Sequence, residues 1–411
     1  MTLRGLFRRS YEMPQPDRRP RLAAIVNVFQ KHYHAQHIVD RFLDGYGWDG
    51  TYHMPPMDLI SLYVDQVGPH DVSRERLLRH PTLKLYPTVE DAITLGGSKL
   101  AVDGIVVVGE HGDYPKNELG QTEYPRYQYF DRIVNVFRSS GRTVPYFNDK
   151  HLSWNYEWAQ RMVSTAHSMG FALQAGSSLP VTWRIPSIDM PYGAKVREAV
   201  AICYGGIDSY DFHGLETIQC MVERRAGGET GVEWLQAYRG EAFWNAMEEG
   251  VWSRKLMNAA LCRSHTLGQA RPSFNDRFPT SDEMRSLVKD PIAYTYQHTN
   301  GPRCTMMLMN GLVRDFNFAA TIDGRSDPLS VQMYLPMPDG RTTLANFFSP
   351  LVNHMETLFL SGKAAYPIER TLLTTGLTAA GCESLFRGKR IQTPWLNVAY
   401  TAPTESLYWR S

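Results

Sequence analysis

Three histidines crowd the stretch RLAAIVNVFQKHYHAQH (21–37): His32, His34 and His37. Glu110, His111 and Asp113 follow in VVVGEHGDYP, and Asp149, Lys150 and His151 in YFNDKH. Neutral imidazoles with carboxylates are a donor set for a divalent metal such as Zn, Mn, Fe or Ni. The metal expectation names His32, His34, His37, His111 and Asp113. HYHAQH spaces its histidines i, i+2, i+5, not as the i, i+4 pair of a helical metal site, so hydrogen bonding to loops and substrate hydroxyls stays open as the alternative. Lys150 is the strongest single candidate for chemistry. A lysine among strand-end loops can have its pKa lowered by burial, or can donate to a carbonyl or alkoxide; the alternative is a structural ion pair. Asp149 and His151 beside it are candidates to position substrate and assist catalysis. In DFHGLETIQ, His213 is a candidate acid/base with Glu216 one turn on as orienter or ligand; the alternative is a polar helix face at the domain junction.

GSSLPVTWRIP (176–186) offers Ser177, Ser178, Thr182, Trp183 and Arg184. Hydroxyls, an indole and a guanidinium give directional donors beside an apolar ring, which suits a sugar or acid substrate. Ser178, Trp183 and Arg184, with Asp149, are the substrate candidates. Arg224 and Arg225 precede a Gly-Gly turn and are candidates to clamp an anion, or else a solvated pair. The aromatic run YPRYQYF reads as packing. CTMMLMNG reads as a strand against helices or a second subunit.

Elements must bring these residues together. LAAIVNVF (22–29), DLISLYVDQ (58–66), LKLYP (83–87), AVDGIVVV (101–108), RTVPYFND (142–149) and FALQAGSS (171–178) read as strands. Between them, 34–46, 71–80, 88–96, 124–141 and 155–170 read as helices, with Thr88 and Asp91 as a capping pair. Such alternation predicts a parallel, doubly wound sheet, with ligands at the strands' carboxyl ends. Those ends are 27–37, 65–66, 109–115, 147–151 and 176–178. Alternation is then lost. Residues 194–205 read as a helix; 294–311, 313–323 and 329–337 as successive antiparallel strands; 350–363 and 371–389 as helices. The fold class is α/β: an N-terminal Rossmann-like doubly wound parallel sheet plus a C-terminal α+β domain with an open, mainly antiparallel sheet. The expected boundaries are a tail or arm at 1–20, the Rossmann-like domain at 21–180, a substrate and oligomerisation domain at 181–395 and a tail at 396–411.

Lys+Arg 43 against Asp+Glu 42 leaves a net charge of +1 over 411 residues. No global field favours nucleic acid or an anionic membrane, so the expected partner is a small molecule. The five cysteines (Cys203, Cys220, Cys262, Cys304, Cys382) form no CxxC pair, and a reducing cytoplasm is expected. No apolar run reaches the roughly 18–20 residues of a membrane span. Arg8 and Arg9 are followed by no hydrophobic export segment. A homo-oligomer through an open C-terminal sheet face is expected.

The stretch 21–37 leads from strand to helix where a dinucleotide-binding domain keeps its glycines, and it has none. Those glycines let the backbone approach a pyrophosphate and let helix pack on strand. Asn27 and Lys31 stand there instead, with helix amides still available to a phosphate. Asp65 ends the second strand, where an acid would bond adenosine ribose hydroxyls and favour NAD over NADP; the alternative is a turn cap. Glu110 and His111 complete the cofactor candidates.

LKLYPTVEDAITLGGSKLAVDGIVVVGEHGDYP, GRTVPYFNDKH, AQRMVSTAHSMGFALQAGSSLPVTWR and METLFLSGKAAYPIERTLLTTGLTAAGCESLFRGKRIQ together resemble the Gfo/Idh/MocA-type oxidoreductase family. The resemblance spans most of 20–395, in order and spacing more than identities, as a divergent member lacking the Gly-rich loop. It implies NAD(P)-dependent oxidation or reduction of a sugar, polyol or related carbonyl. The family's lysine maps to Lys150, in Asn-Asp-Lys-His where the family has Glu-Lys-Pro. Its His-x-x-Asp run maps to His213–Glu216, and its catalytic histidine to Cys220. The leading expectation is thus an oxidoreductase using NAD(H). The alternatives are a metal-dependent lyase, isomerase or hydrolase on the same fold, and a non-catalytic scaffold subunit.

Overall fold

The computed structural model describes residues 18–268, 278–335 and 346–410. The tail expected at 1–20 lies almost wholly outside them. The first half forms β1 (Arg21–Val26), α1 (His34–Asp44), β2 (Tyr46–Trp48), β3 (Thr51–His53), β4 (Asp58–Val64), α2 (Ser73–Arg79), β5 (Lys84–Leu85) and α3 (Val89–Thr94). It continues with β6 (Gly104–Val108), α4 (Arg126–Ser140), β7 (Tyr146–Asp149), α5 (Tyr156–Met169) and β8 (Leu173–Gly176). Six parallel strands lie in the order β5-β4-β1-β6-β7-β8. β1 and β6 are central and covered on both faces, which is why LAAIV and IVVV are continuous apolar runs. The Thr88 hydroxyl accepts the Asp91 amide as the α3 cap. α5 starts on Asn155 and ends at left-handed Gly170.

One short hairpin was not expected. The sequence reading carries α1 to Tyr46; the helix stops at Gly45, whose φ of 74° suits glycine, and whose absent Cβ would lie 2.6 Å from the His53 carbonyl. Tyr46 then opens β2 and bonds Glu356, which His53 also contacts at 2.8 Å.

The second half forms β9 (Arg184–Ile185), β10 (Val196–Cys203), α6 (Tyr210–Val222), β11 (Val232–Arg239), α7 (Glu241–Glu248), α8 (Arg254–Leu261) and α9 (Ser281–Leu287). There follow β12 (Ile292–His298), β13 (Arg303–Leu308), β14 (Phe316–Ile322), β15 (Leu329–Met333), α10 (Ser349–Ser361), α11 (Glu369–Arg387) and β16 (Ile391–Gln392). The eight-stranded sheet runs β16-β11-β12-β13-β10-β14-β15-β9 and is mainly antiparallel, with β10 and β13 parallel.

Residues 194–205 are therefore a strand, not a helix. β10 sits in the middle of the sheet with both faces covered, so its apolar residues form a run without the alternation that marks a half-exposed strand. Its insertion also separates β13 from β14, which the sequence reading made neighbours. Residues 336–337 of the last expected strand lie outside the described residues.

α6 and α11 pack on one face of this sheet, α7 and α8 on the other. Met306 belongs to the core that includes the parallel sheet, and Met307 to the core that includes α7 and α8. The argument for a homo-oligomer rested on a bare sheet face, and these helices cover it within the chain. Residues 396–410 are packed rather than a free tail: Arg224 donates to the carbonyls of Pro403, Thr404 and Glu405. The Trp409 ring lies 3.7 Å from that of Trp48. Among the described residues, no helix is long and apolar enough to cross a membrane.

Candidate active site

The carboxyl ends of β1, β6, β7 and β8 meet the first turn of α6. Six non-glycine residues in the described chain have left-handed φ, and four lie here: His32, His111, Lys150 and Asp208, at 55–69°. Such conformations cost about 1–3 kcal/mol each and gather where a site over-determines the backbone. Lys150 is held there by its amide, which donates to Gly176 O at 3.1 Å.

A cavity of about 100 Å³ opens at this point. His32, His34, His37, His111, His213, Lys150 and Ser178 give it a polar wall; Tyr210, Phe347 and Phe348 give it an apolar one. Lys150 Nζ donates to Glu110 Oε1 at 2.8 Å, and Arg126 donates to Glu110 Oε2 at 2.6 Å. Arg126 also donates to His151 Nε2 at 2.8 Å. All four side chains are buried. Burial alone would raise the Glu110 pKa, but the Lys150 and Arg126 charges outweigh it and hold the carboxyl well below its usual range. Burial alone would lower Lys150, but Glu110 outweighs it and the pKa is raised. The sequence reading allowed a lysine depressed by burial; the structure makes it a persistent ammonium. Burial, then Arg126, holds His151 well below the usual range, and it stands behind the cavity as an acceptor for Arg126.

His213 lines the cavity, with Nδ1 2.6 Å from Ser177 Oγ; burial keeps its ring neutral by holding its pKa well below 6.5. Glu216 does not orient it. The carboxyl accepts from Thr374 Oγ1 at 2.6 Å and the Ser177 amide at 3.3 Å, and burial pushes its pKa up to about 7. It lies behind Gly176, where a Cβ would sit 2.9 Å from Oε2. Cys220, the position matching the family's catalytic histidine, is buried and contacts Thr217 O and Arg184 instead. His34 Nδ1 lies 2.7 Å from Asp149 Oδ2, so Asp149 supports a histidine in this structure. Burial pushes His111 down to about 4 and His37 to about 3.

The proposed metal ligands do not converge. Among the described residues, no group of three or more His, Cys, Asp or Glu is placed to hold a metal ion. His34 Nδ1 is committed to Asp149, His37 stacks on Phe348 with ring centres 5.0 Å apart, and Asp113 is fixed through its backbone to exposed Gln66 contacts. Of the substrate candidates, Ser178 lines the cavity. Arg184 is buried on Asp189 at 2.5 Å and over the Tyr408 ring, and Trp183 packs edge-on to Tyr334 and Trp409. Arg224 holds the C-terminal segment, and Arg225 is buried on Glu229 at 3.0 Å. None of these four serves the cavity.

A dinucleotide would lie across the end of β1, between β4 and β6. The segment after β6 crosses that end. Asn27 Nδ2 donates to His111 O at 3.2 Å; Gln66 exchanges two hydrogen bonds with the Asp113 backbone at 2.8 and 2.9 Å. Tyr63 and Tyr114 both donate to Asp65, the carboxylate expected for ribose, at 2.6 and 2.7 Å. Tyr33 stacks on His111 at 4.2 Å. The His32 amide donates to Gln36 Oε1 and the Tyr33 amide to Gln30 O. Phe29 is fully buried, and Lys31 points to solvent outside the cavity lining. As arranged, these residues do not fit a dinucleotide in that crevice.

Sequence reasoning missed Arg126, Phe347, Phe348 and Tyr210. Arg126 sits inside YPRYQYF, whose spacing spoke only of packing. Its charge among aromatics was the available signal; the phenylalanines carried none.

No family model and no curated protein matches the sequence. Solved structures match its shape. The crystal structure of GenD2 from gentamicin A biosynthesis in complex with NAD covers 95% of this chain and 99% of its own, at 11% identity and a TM-score of 0.56. The apo scyllo-inositol dehydrogenase of Lactobacillus casei covers 91% and 98%, at 9% identity and 0.53. The chain shares the fold of these structures. A myo-inositol dehydrogenase of Lactobacillus casei, in complex with NAD(H) and myo-inositol, gives 93% and 99%, at 12% identity and 0.52.

Proposed function

We propose that this chain is an oxidoreductase acting on a hydroxyl or carbonyl group of a sugar, polyol or related small polar compound. The observation that carries the reading is the convergence of Lys150, His213 and His34 on one small cavity. The shared fold with inositol dehydrogenases supports it as an analogy. The Lys150 ammonium and the neutral His213 ring bind the reacting oxygen, Ser178 adds a hydroxyl, and Phe347 and Phe348 exclude water. An oxidoreductase needs a hydride partner; NAD(H), bound in two structures of this fold, would enter at the end of β1 only once the segment after β6 has left it.

A second reading follows from the filled crevice. On it, the same groups catalyse a lyase or isomerase step by proton transfer, without a nucleotide. Titration of the protein with NAD(H) and NADP(H) to millimolar concentration, followed by nucleotide fluorescence, separates the two. Saturable binding is the result expected of the oxidoreductase. No binding contradicts it and favours the second reading.

A further inference from the structure

We propose that His34 and Asp149 form a general-base dyad, and that Ser177 fixes His213 as the hydrogen-bond donor facing it across the same cavity. The proposal rests on reading this cavity as the place where a substrate hydroxyl reacts.

His34 is the first residue of α1 and comes from the glycine-free loop; Asp149 is the last of β7. Their side chains are 18% and 2% exposed, and Nδ1 lies 2.7 Å from Oδ2. An ionised carboxylate only accepts, so Nδ1 carries the hydrogen and the lone pair of the uncharged form of the ring is on Nε2. The ring lines the cavity, with Phe348 at 5.0 Å and His111 at 5.7 Å as edge-on neighbours.

His213 has the opposite arrangement. Ser177 Oγ receives the Leu179 amide at 3.1 Å and lies 2.6 Å from His213 Nδ1, which is within reach of the hydroxyl's own hydrogen. On this proposal the hydroxyl hydrogen goes to His213 Nδ1, which leaves Nε2–H for the cavity. The two rings lie 6.3 Å apart and 25° from parallel. A carboxylate behind one imidazole and a hydroxyl behind the other thus make a base and a donor from one residue type.

A hydroxyl held between them gives its proton to His34 Nε2. The O–H bond breaks, an N–H bond forms, and Asp149 balances the new imidazolium. The alkoxide charge meets the Lys150 ammonium and His213 Nε2–H. Around His34 stand Asp149, Lys150, Glu110, His111 and His213, with His32 and His37 on its own segment.

Histidine imidazoles labelled with ¹⁵N test the assignment without a known substrate. Two-bond proton–nitrogen correlations at neutral pH, assigned with His34→Gln and His213→Gln, report each tautomer. The expected result is hydrogen on Nδ1 of His34 and on Nε2 of His213. Asp149→Asn should lose the first pattern, and Ser177→Ala should turn the second into a mixture. Hydrogen on Nε2 of His34 or on Nδ1 of His213 overturns the proposal. In turnover of a sugar or polyol, Asp149→Asn should lower kcat about 10²–10⁴-fold, the usual range for a lost general base, with KM within about threefold. An unchanged kcat and pH profile overturns the base role. A panel of polyols that neither bind nor react contradicts the functional reading itself, while the tautomer result still decides the geometry.

Discussion

Glu110 holds two cations at once, Lys150 and Arg126, and all three side chains are buried. Removing one partner of such a buried pair costs about 3–5 kcal/mol, because the other charge is stranded. Glu110→Gln should therefore lower unfolding stability by that order in urea titration, with a shifted midpoint and an unchanged slope. Glu216 titrates in the opposite direction. Its folded pKa of about 7 stands above the ordinary carboxyl value, so its contribution is fully present below about pH 4.5 and is lost as pH rises through 7. Glu216→Gln should remove that loss, gaining on the wild type by on the order of 3 kcal/mol between pH 4.5 and 8. Equal pH dependence of the two proteins in denaturant unfolding would contradict the assignment. The sequence pointed to Lys150 and His213 because lysine and histidine at strand ends are recognisable by type. It did not show that Glu110 keeps Lys150 charged, or that Glu216 serves a backbone amide, since both depend on contacts across the fold.

The loop after β6 decides whether the end of β1 is open. Its bonds to Asn27, Asp65 and Gln66 close the end of β1. Gln66→Ala with Tyr114→Phe should free it, and amide exchange at 111–114 should quicken at least about tenfold, since local opening then meets fewer bonds. Gly176 fixes another element end. With φ at 130° and Glu216 beside it, Gly176→Ala should destabilise by about 1–3 kcal/mol in the same urea assay. The parallel sheet was legible because its strands are apolar runs separated by amphipathic helices. β10 was not: a strand covered on both faces loses the alternation that identifies strands, and VREAVAIC then resembles one side of a helix. The Gly45 hairpin was hidden for a similar reason, since Tyr46 continues the apolar spacing of α1.

At the scale of the whole molecule, the parallel sheet supplies the loops, the second sheet supplies α6, and the cavity lies where they meet. The glycine-free loop gains its sense from this arrangement. It places histidines at the carboxyl end of β1 and does not cradle a phosphate in the described arrangement. The C-terminal segment closes the assembly through Arg224, whose three carbonyl partners lie at 403–405. The most direct test follows the imidazole nitrogen shifts of ¹⁵N-histidine-labelled protein as myo-inositol and a panel of simple sugars are added. The account predicts saturable shifts at His34, His111 and His213, with His80 and His298 unmoved. Shifts confined to histidines away from the cavity, or none at all with any member of the panel, would contradict it.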